Sequence, residues 1–163
     1  MVIVLMGPAG VGKSTIGLAL ALRLRWRFVD ADDLHAPASI EKMSRGIGLT
    51  DDDRASWLDR VNAAMRAAAD GGENLVVACS ALREGYRARL SGGVPALRWV
   101  RLRVDAAVLE ARLAARRDHF AGPALLETQL AAFEPPRDAI EIDAEAPVDS
   151  VVDAVCRALH LRC

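Results

Sequence analysis

Lysine is almost missing from this chain. Of its 21 basic side chains only Lys13 and Lys42 are lysines, and the rest are arginines. Twenty-two acids balance them to a net charge of −1, so there is no basic surplus of the kind a nucleic-acid partner demands. Aromatic residues make up 4% of the sequence, too few for a base-stacking platform. Cysteine is sparse too. Cys79, Cys156 and Cys163 are odd in number and form no metal-spaced cluster, so reduced thiols in a cytoplasmic setting are expected. No stretch approaches the roughly 20 apolar residues of a membrane span. The apolar run Val2–Met6 is too short for a signal peptide and has no basic lead. Internal repeats and low-complexity segments are lacking as well. What the chain does have is apolar content, 52% of 163 residues, enough for the core of a single domain over 1–163.

Against so little lysine, Lys13 stands out by its setting. Gly7-Pro8-Ala9-Gly10-Val11-Gly12-Lys13-Ser14-Thr15 fits the P-loop pattern G-x-x-x-x-G-K-[ST] in full. The buried-strand run Val2–Met6 precedes it, and an apolar-periodic helix over about 13–24 follows. In that context Gly7, Gly10 and Gly12 let the backbone turn and present N–H groups to a polyphosphate. Val11 and Thr15 lie in the same cradle, and the new helix adds the positive end of its dipole. Lys13 can reach the β- and γ-phosphates and the Ser14 hydroxyl can ligate Mg²⁺, which makes ATP with Mg²⁺ the expected ligand pair.

Strands are expected at 27–29, 75–78, 97–104 and 139–142. Helices are expected at 38–43, 52–69, 83–90, from Asp105 to about 116, at 125–133 and at 148–159. Strands alternating with helices predict an α/β protein of three layers: a five-stranded parallel sheet with helices on both faces. The second strand ends in Asp30-Ala31-Asp32-Asp33-Leu34-His35. Ligands of open α/β sheets bind beyond the carboxyl ends of strands, so Asp30 and Asp32 are candidates for holding Mg²⁺ through water and for accepting a hydroxyl proton; which does which stays open. Asp33 reads as a helix cap. A further absence matters here. The third strand ends in Cys79-Ser80, with no acid of the Walker B type, so the metal shell leans on Ser14, phosphates, water and a second-strand aspartate. Ser80 is either a donor to substrate or metal-bound water, or the N-cap of the helix over 83–90.

Thr50 or Asp51 is a natural N-cap for the helix over 52–69. Arg54 suits bidentate recognition of a carboxylate, while Trp57 reads as packing. Arg83 and Arg87 lie four apart on one helix face, either meeting an anionic substrate or facing solvent. Arg112, Arg116, Arg117 and His119, with Gly122-Pro123 beyond, suggest a helical lid over about 112–134 that brings arginine charge to the γ-phosphate. His119 reads as packed or exposed rather than catalytic.

Taken together, the chain resembles the gluconate kinases of the P-loop small-molecule kinases, related in fold to shikimate and nucleoside-monophosphate kinases. The marks beyond the P-loop are Phe28-Val29-Asp30-Ala31-Asp32-Asp33-Leu34-His35, Ile40-Glu41-Lys42-Met43, Leu49-Thr50-Asp51-Asp52-Asp53-Arg54, Trp57-Leu58, Ala78-Cys79-Ser80-Ala81-Leu82 with Tyr86-Arg87, and Arg116-Arg117-Asp118-His119-Phe120 with Leu125-Leu126 and Gln129. The resemblance implies ATP-dependent phosphorylation of D-gluconate to 6-phosphogluconate in a cytoplasmic homodimer. It implies that Lys13 and Ser14 serve phosphate and Mg²⁺, and that Asp30 lies nearer the metal. Asp32 would orient or deprotonate the substrate hydroxyl. His35, Arg54, Ser80 and Arg87 would line the sugar-acid site, and Arg116 would be the lid cation. The chain departs from the family pattern at Ser39, at Gly48 and Ser56 where relatives usually have proline, and at Ala121-Gly122. Gly48 and Ser56 loosen the loop carrying Arg54. Kinases of another small hydroxy acid, such as shikimate or a different aldonate, and a nucleotide-binding regulator without transfer are the alternatives.

Overall fold

The computed structural model describes residues 1–45, 47–115 and 123–162, with backbone alone at 123–125. Its strands are β1 (Val2–Met6), β2 (Arg27–Asp30), β3 (Leu75–Ala78), β4 (Leu97–Arg103) and β5 (Ile140–Asp143). Its helices are α1 (Lys13–Leu24), α2 (Pro37–Ser44), α3 (Asp51–Asp70), α4 (Glu84–Ser91), α5 (Ala106–Ala114), α6 (Pro123–Ala131) and α7 (Val148–Ala158). A short 3₁₀ turn, Ala31–Leu34, follows β2 and was not expected.

All strand pairs are parallel and the order is β2-β3-β1-β4-β5. β1 is buried at every position, as an unbroken apolar run between two neighbours should be. Because alternate side chains of a strand face opposite sides, β1 feeds two cores. Ile3 and Leu5 join Ile16 and Leu20 of α1 and Val151, Val152 and Val155 of α7. Val2, Val4 and Met6 join Leu58, Val61 and Met65 of α3 and Leu90 of α4. Each fully buried Val or Leu contributes about 1.5–3 kcal/mol, so these two clusters hold the three layers together. The expected three-layer α/β architecture with a five-stranded parallel sheet is therefore what the chain adopts.

The order also fixes where a ligand goes. From β1 the chain moves outward on one side through β3 and β2, and on the other through β4 and β5. The switch lies at β1, whose carboxyl end carries the P-loop. Asp30 ends β2 and Ser80 lies two residues beyond the end of β3, both on one side of it. Cys79 is a free buried thiol, whereas Cys156 is disulfide-bonded, so the expectation of reduced thiols holds for Cys79 alone of the two. Among the described residues no helix is long and apolar enough to cross a membrane.

Candidate active site

The loop 7–12 is shaped by φ values that side chains resist. Gly10 has φ +83° and Gly12, the N-cap of α1, has φ +103°. A β-carbon at Gly10 would also press on Leu113 of α5 at 3.1 Å, so this position must stay bare for α5 to pack against the loop. No side chain caps α1, which leaves its first N–H groups to an anion. Lys13 Nζ donates to the Pro8 carbonyl at 3.0 Å, folded over its own loop. Gly7 N–H donates to the Ser80 carbonyl at 3.4 Å, tying the loop to the end of β3.

Two side chains from distant elements brace the loop. Arg112 of α5 donates to the Val11 carbonyl at 3.4 Å and to the Ala144 carbonyl at 3.1 Å. It therefore bridges the P-loop to the segment after β5, and the reading of Arg112 as a lid cation gives way to a structural one. Gln129 of α6 accepts from the Ala9 N–H through Oε1 at 2.7 Å. Leu126, one turn earlier, is 2% exposed in the core, and this burial turns the shared face of α6 toward the loop.

The acidic turn after β2 is ordered by one of its own members. Asp30 caps the 3₁₀ turn, accepting from the Asp32 N–H at 3.1 Å. The capping role expected of Asp33 thus falls to Asp30. Asp32 keeps its carboxylate outward, with its side chain 62% exposed and Oδ1 4.0 Å from His35 Nε2. The His35 side chain is only 6% exposed. Its ring stacks on Trp57 with centroids 4.6 Å apart and planes 10° from parallel. Among the described residues its buried Nδ1 has no hydrogen-bond partner. Burial pushes the imidazole below its ordinary value, with Asp32 opposing and Arg60 and Arg54 assisting, so His35 is neutral at pH 7. Trp57 does more than fill space: its Nε1 donates to the Ala31 carbonyl at 2.6 Å, gripping the turn that carries both aspartates.

Lys13 follows β1 and Asp30 and Asp32 end and follow β2, so they flank β3 at the carboxyl edge of the sheet. The Cys79 thiol there is pushed up to about 12 by complete burial, and it senses the charges of Asp32, Lys13 and Asp30 together. A thiol held so firmly protonated is no nucleophile, and the chemistry belongs to the charges around it.

The remaining predicted residues are placed as follows. Arg54 sits in the first turn of α3 with Nη1 3.6 Å from Asp51 and about a third of its side chain exposed. Thr50, not Asp51, is the N-cap of α3. Ser80 is not a helix cap: α4 begins at Glu84 with Arg83 as its N-cap, and Ser80 lies half-buried in the loop after β3. Arg87 is 8% exposed and donates from Nη1 to the Ala81 carbonyl at 2.9 Å. Ala81 has φ +45°, a strained left-handed conformation for alanine, and the Arg87 bond helps hold it. Arg83 is exposed, so the two arginines do not form one basic face. Arg116, with Arg117 and His119, lies outside the described residues, as does the middle of the expected lid.

Sequence reading missed the bracing roles of Arg112 and Gln129 and the grip of Trp57. The one available signal was the i, i+3 spacing of Leu126 and Gln129 on a helix close after the arginine-rich segment.

A metal would find oxygen donors here and little else. Among the described residues no group of three His, Cys, Asp or Glu side chains could hold an ion. Ser14, in the first turn of α1, and Asp30, at the end of β2, carry the side-chain oxygens that could contribute to a Mg²⁺ site, which needs one or two protein oxygens beside phosphates and water.

A glycine loop opening a helix at the switch of a parallel sheet, with carboxylates at the end of a strand on the same edge, defines a P-loop nucleotide-binding protein. Comparison with known proteins narrows the class. A family model described as "AAA domain" matches residues 2–136. The gluconokinase of Gluconobacter oxydans is 39% identical, with 95% of this chain and 89% of the relative aligned. A solved gluconokinase from Sinorhizobium meliloti superimposes with a TM-score of 0.82 at 36% identity, covering 97% of this chain and 94% of that one. An unliganded sugar kinase from a Janibacter species gives a TM-score of 0.89 at 36% identity, covering 98% and 94%. The chain belongs to the gluconokinase family.

Proposed function

We propose that this protein is an ATP-dependent gluconokinase that converts D-gluconate to 6-phospho-D-gluconate. The observation that supports this reading is a chain of this family whose P-loop, with Lys13, follows β1 while Asp30 and Asp32 end and follow β2 at the same edge of the sheet. Lys13 and the N–H groups of Gly10 to Thr15 bind the triphosphate, and Gly7 and Val11 shape that cradle. Ser14 and Asp30 would hold Mg²⁺, which would supply positive charge to the triphosphate. Asp32 takes the proton from the terminal hydroxyl of gluconate. The freed oxygen bonds to the γ-phosphorus in line as the bond to the ADP oxygen breaks, and ADP leaves. Neutral His35, Arg54, Ser80 and the part of Arg87 not engaged by Ala81 contact the acid and its hydroxyls. Arg116, which falls between α5 and α6 in the sequence, adds positive charge at the transferring phosphoryl group. By family resemblance the enzyme works as a cytoplasmic homodimer.

Coupled ADP release, measured with gluconate, shikimate and other sugar acids against a no-acceptor blank, tests the reaction. Gluconate is expected to give the highest kcat/KM. ADP release with gluconate no faster than the blank would sink the substrate assignment. In the same assay Asp32→Asn should lower kcat by about 10²–10⁴, the usual contribution of a positioned base. Near wild-type turnover would remove Asp32 from that role.

A further inference from the structure

The Pro8–Ala9 peptide is gripped at both ends. Its carbonyl oxygen accepts from Lys13 Nζ at 3.0 Å, and its N–H donates to Gln129 Oε1 at 2.7 Å. One peptide plane thus joins the P-loop lysine to a side chain 120 residues away. The lysine of this motif serves the β- and γ-phosphates, so the plane it rests on lies at that end of the nucleotide site.

We propose that Gln129 is a positioning residue that fixes the Pro8–Ala9 peptide and so sets the γ-phosphate end of the loop. The inference rests on the nucleotide half of the proposed function. When a triphosphate arrives, Lys13 must turn from the Pro8 carbonyl to phosphate oxygens. The carbonyl then keeps the longer bond from the Val11 N–H at 3.4 Å, and the Gln129 carboxamide, at 2.7 Å from the Ala9 nitrogen, is the shorter hold that keeps the plane from rotating. Leu126, buried one turn earlier, makes α6 a firm base for that hold. Neutrality suits the task. A carboxamide accepts the N–H without setting negative charge beside a triphosphate, as glutamate would. α6 is also anchored beyond its end. The Glu134 N–H donates to the Leu82 carbonyl at 2.9 Å, and Glu134 Oε2 accepts from the Glu84 N–H at 2.6 Å. The position of Gln129 is therefore referred to the loop after β3, on the side of Ser80 and the strand-end carboxylates.

The test is nucleotide binding, which does not depend on which acid is the acceptor. Titration calorimetry with Mg²⁺ compares a non-hydrolysable ATP analogue with ADP. For Gln129→Met, which keeps length and loses the acceptor, the analogue should bind about tenfold more weakly, the scale of one directed hydrogen bond. ADP affinity should change less than about twofold by the same reasoning, since the γ-phosphate end carries the effect. A merely structural Gln129 would weaken both nucleotides alike or neither, and either result overturns the inference. Gln129→Glu gives a second reading should the methionine variant fail to fold. It retains an oxygen for the Ala9 N–H and adds a charge, so it should disfavour the analogue relative to ADP, and more so at low salt. An unchanged analogue-to-ADP ratio overturns the inference. Wild-type protein that binds neither nucleotide overturns the proposed function and this inference together.

Discussion

At the scale of single residues, His35 shows how a site side chain is both placed and constrained. Trp57 covers one face of its ring, and its Nδ1 has no hydrogen-bond partner among the described residues. A protonated imidazole there would be a poorly solvated charge, which is why burial lowers its pKa from 6.5. The sign of the linked stability follows. Above 6.5 the folded and unfolded chains both carry neutral His35 and the group is silent. As pH falls through 6.5 the unfolded chain takes up a proton that the native one refuses, so the native state loses stability until the lowered native pKa is passed. Thermal unfolding of wild type and His35→Asn across pH 5 to 8 checks this. The wild type should lose more Tm below about pH 6.5 than the variant does. Parallel Tm profiles would contradict the buried neutral ring. The same residue marks a limit of sequence reading. His35 was legible as a candidate because it follows the acidic strand end. The stacking on Trp57 was not, because 22 residues and a helix boundary separate the pair. Likewise, Arg87 was legible as a cation but not as the prop of a left-handed Ala81, since nothing local requires alanine to take φ +45°.

At the scale of elements, local rules carried much of the fold. The strand 75–78 and the helix 13–24 occur at their expected bounds, because a continuous apolar run and a P-loop each constrain the backbone within a few residues. The start of α3 is equally local. Thr50 accepts from the Asp53 N–H at 3.2 Å, and Asp53 accepts from the Thr50 N–H at 2.9 Å, completing a capping box. Lys42 of α2 then binds Asp53 at 2.8 Å, so the cap also ties α2 to α3 around Arg54. Those bonds, Lys42 first, hold the Asp53 carboxyl down from 3.8 to about 2. Its contribution is present above pH 3.8 and fades as pH falls through about 2. Thr50→Ala should cost about 1 kcal/mol, the usual value of a lost cap. For a domain of this size that lowers Tm by about 2–4 °C, readable by differential scanning calorimetry. A Tm unchanged within error would mean that the Lys42–Asp53 pair holds the α3 start unaided. What local rules could not supply was the bracing of the P-loop by α5 and α6. Val11 meets Arg112 across 101 residues and Ala9 meets Gln129 across 120, and only the folded sheet brings them together.

At the scale of the whole molecule, these pieces make a donor site built largely before nucleotide arrives. The loop's backbone is set by glycines, by Arg112 and by Gln129, and its helix N-terminus is uncapped. Little ordering free energy should then be spent on binding, a saving that appears in Kd, and bound ligand stabilises the fold by mass action. With Mg²⁺ and a non-hydrolysable ATP analogue at one hundred times Kd, that stabilisation is about 2.7 kcal/mol. At about 2–4 °C per kcal/mol for a domain of this size, Tm should rise by about 5–11 °C. Lys13→Ala, assayed at the same analogue concentration, should show a rise of less than about 2 °C, because the β- and γ-phosphates lose their counter-charge. Gluconate alone should shift Tm less than the analogue, since Arg54 and Arg87, the partners proposed for it, are already engaged by Asp51 and the Ala81 carbonyl. A wild-type rise that persists undiminished in Lys13→Ala would place the nucleotide elsewhere than on the loop at the end of β1.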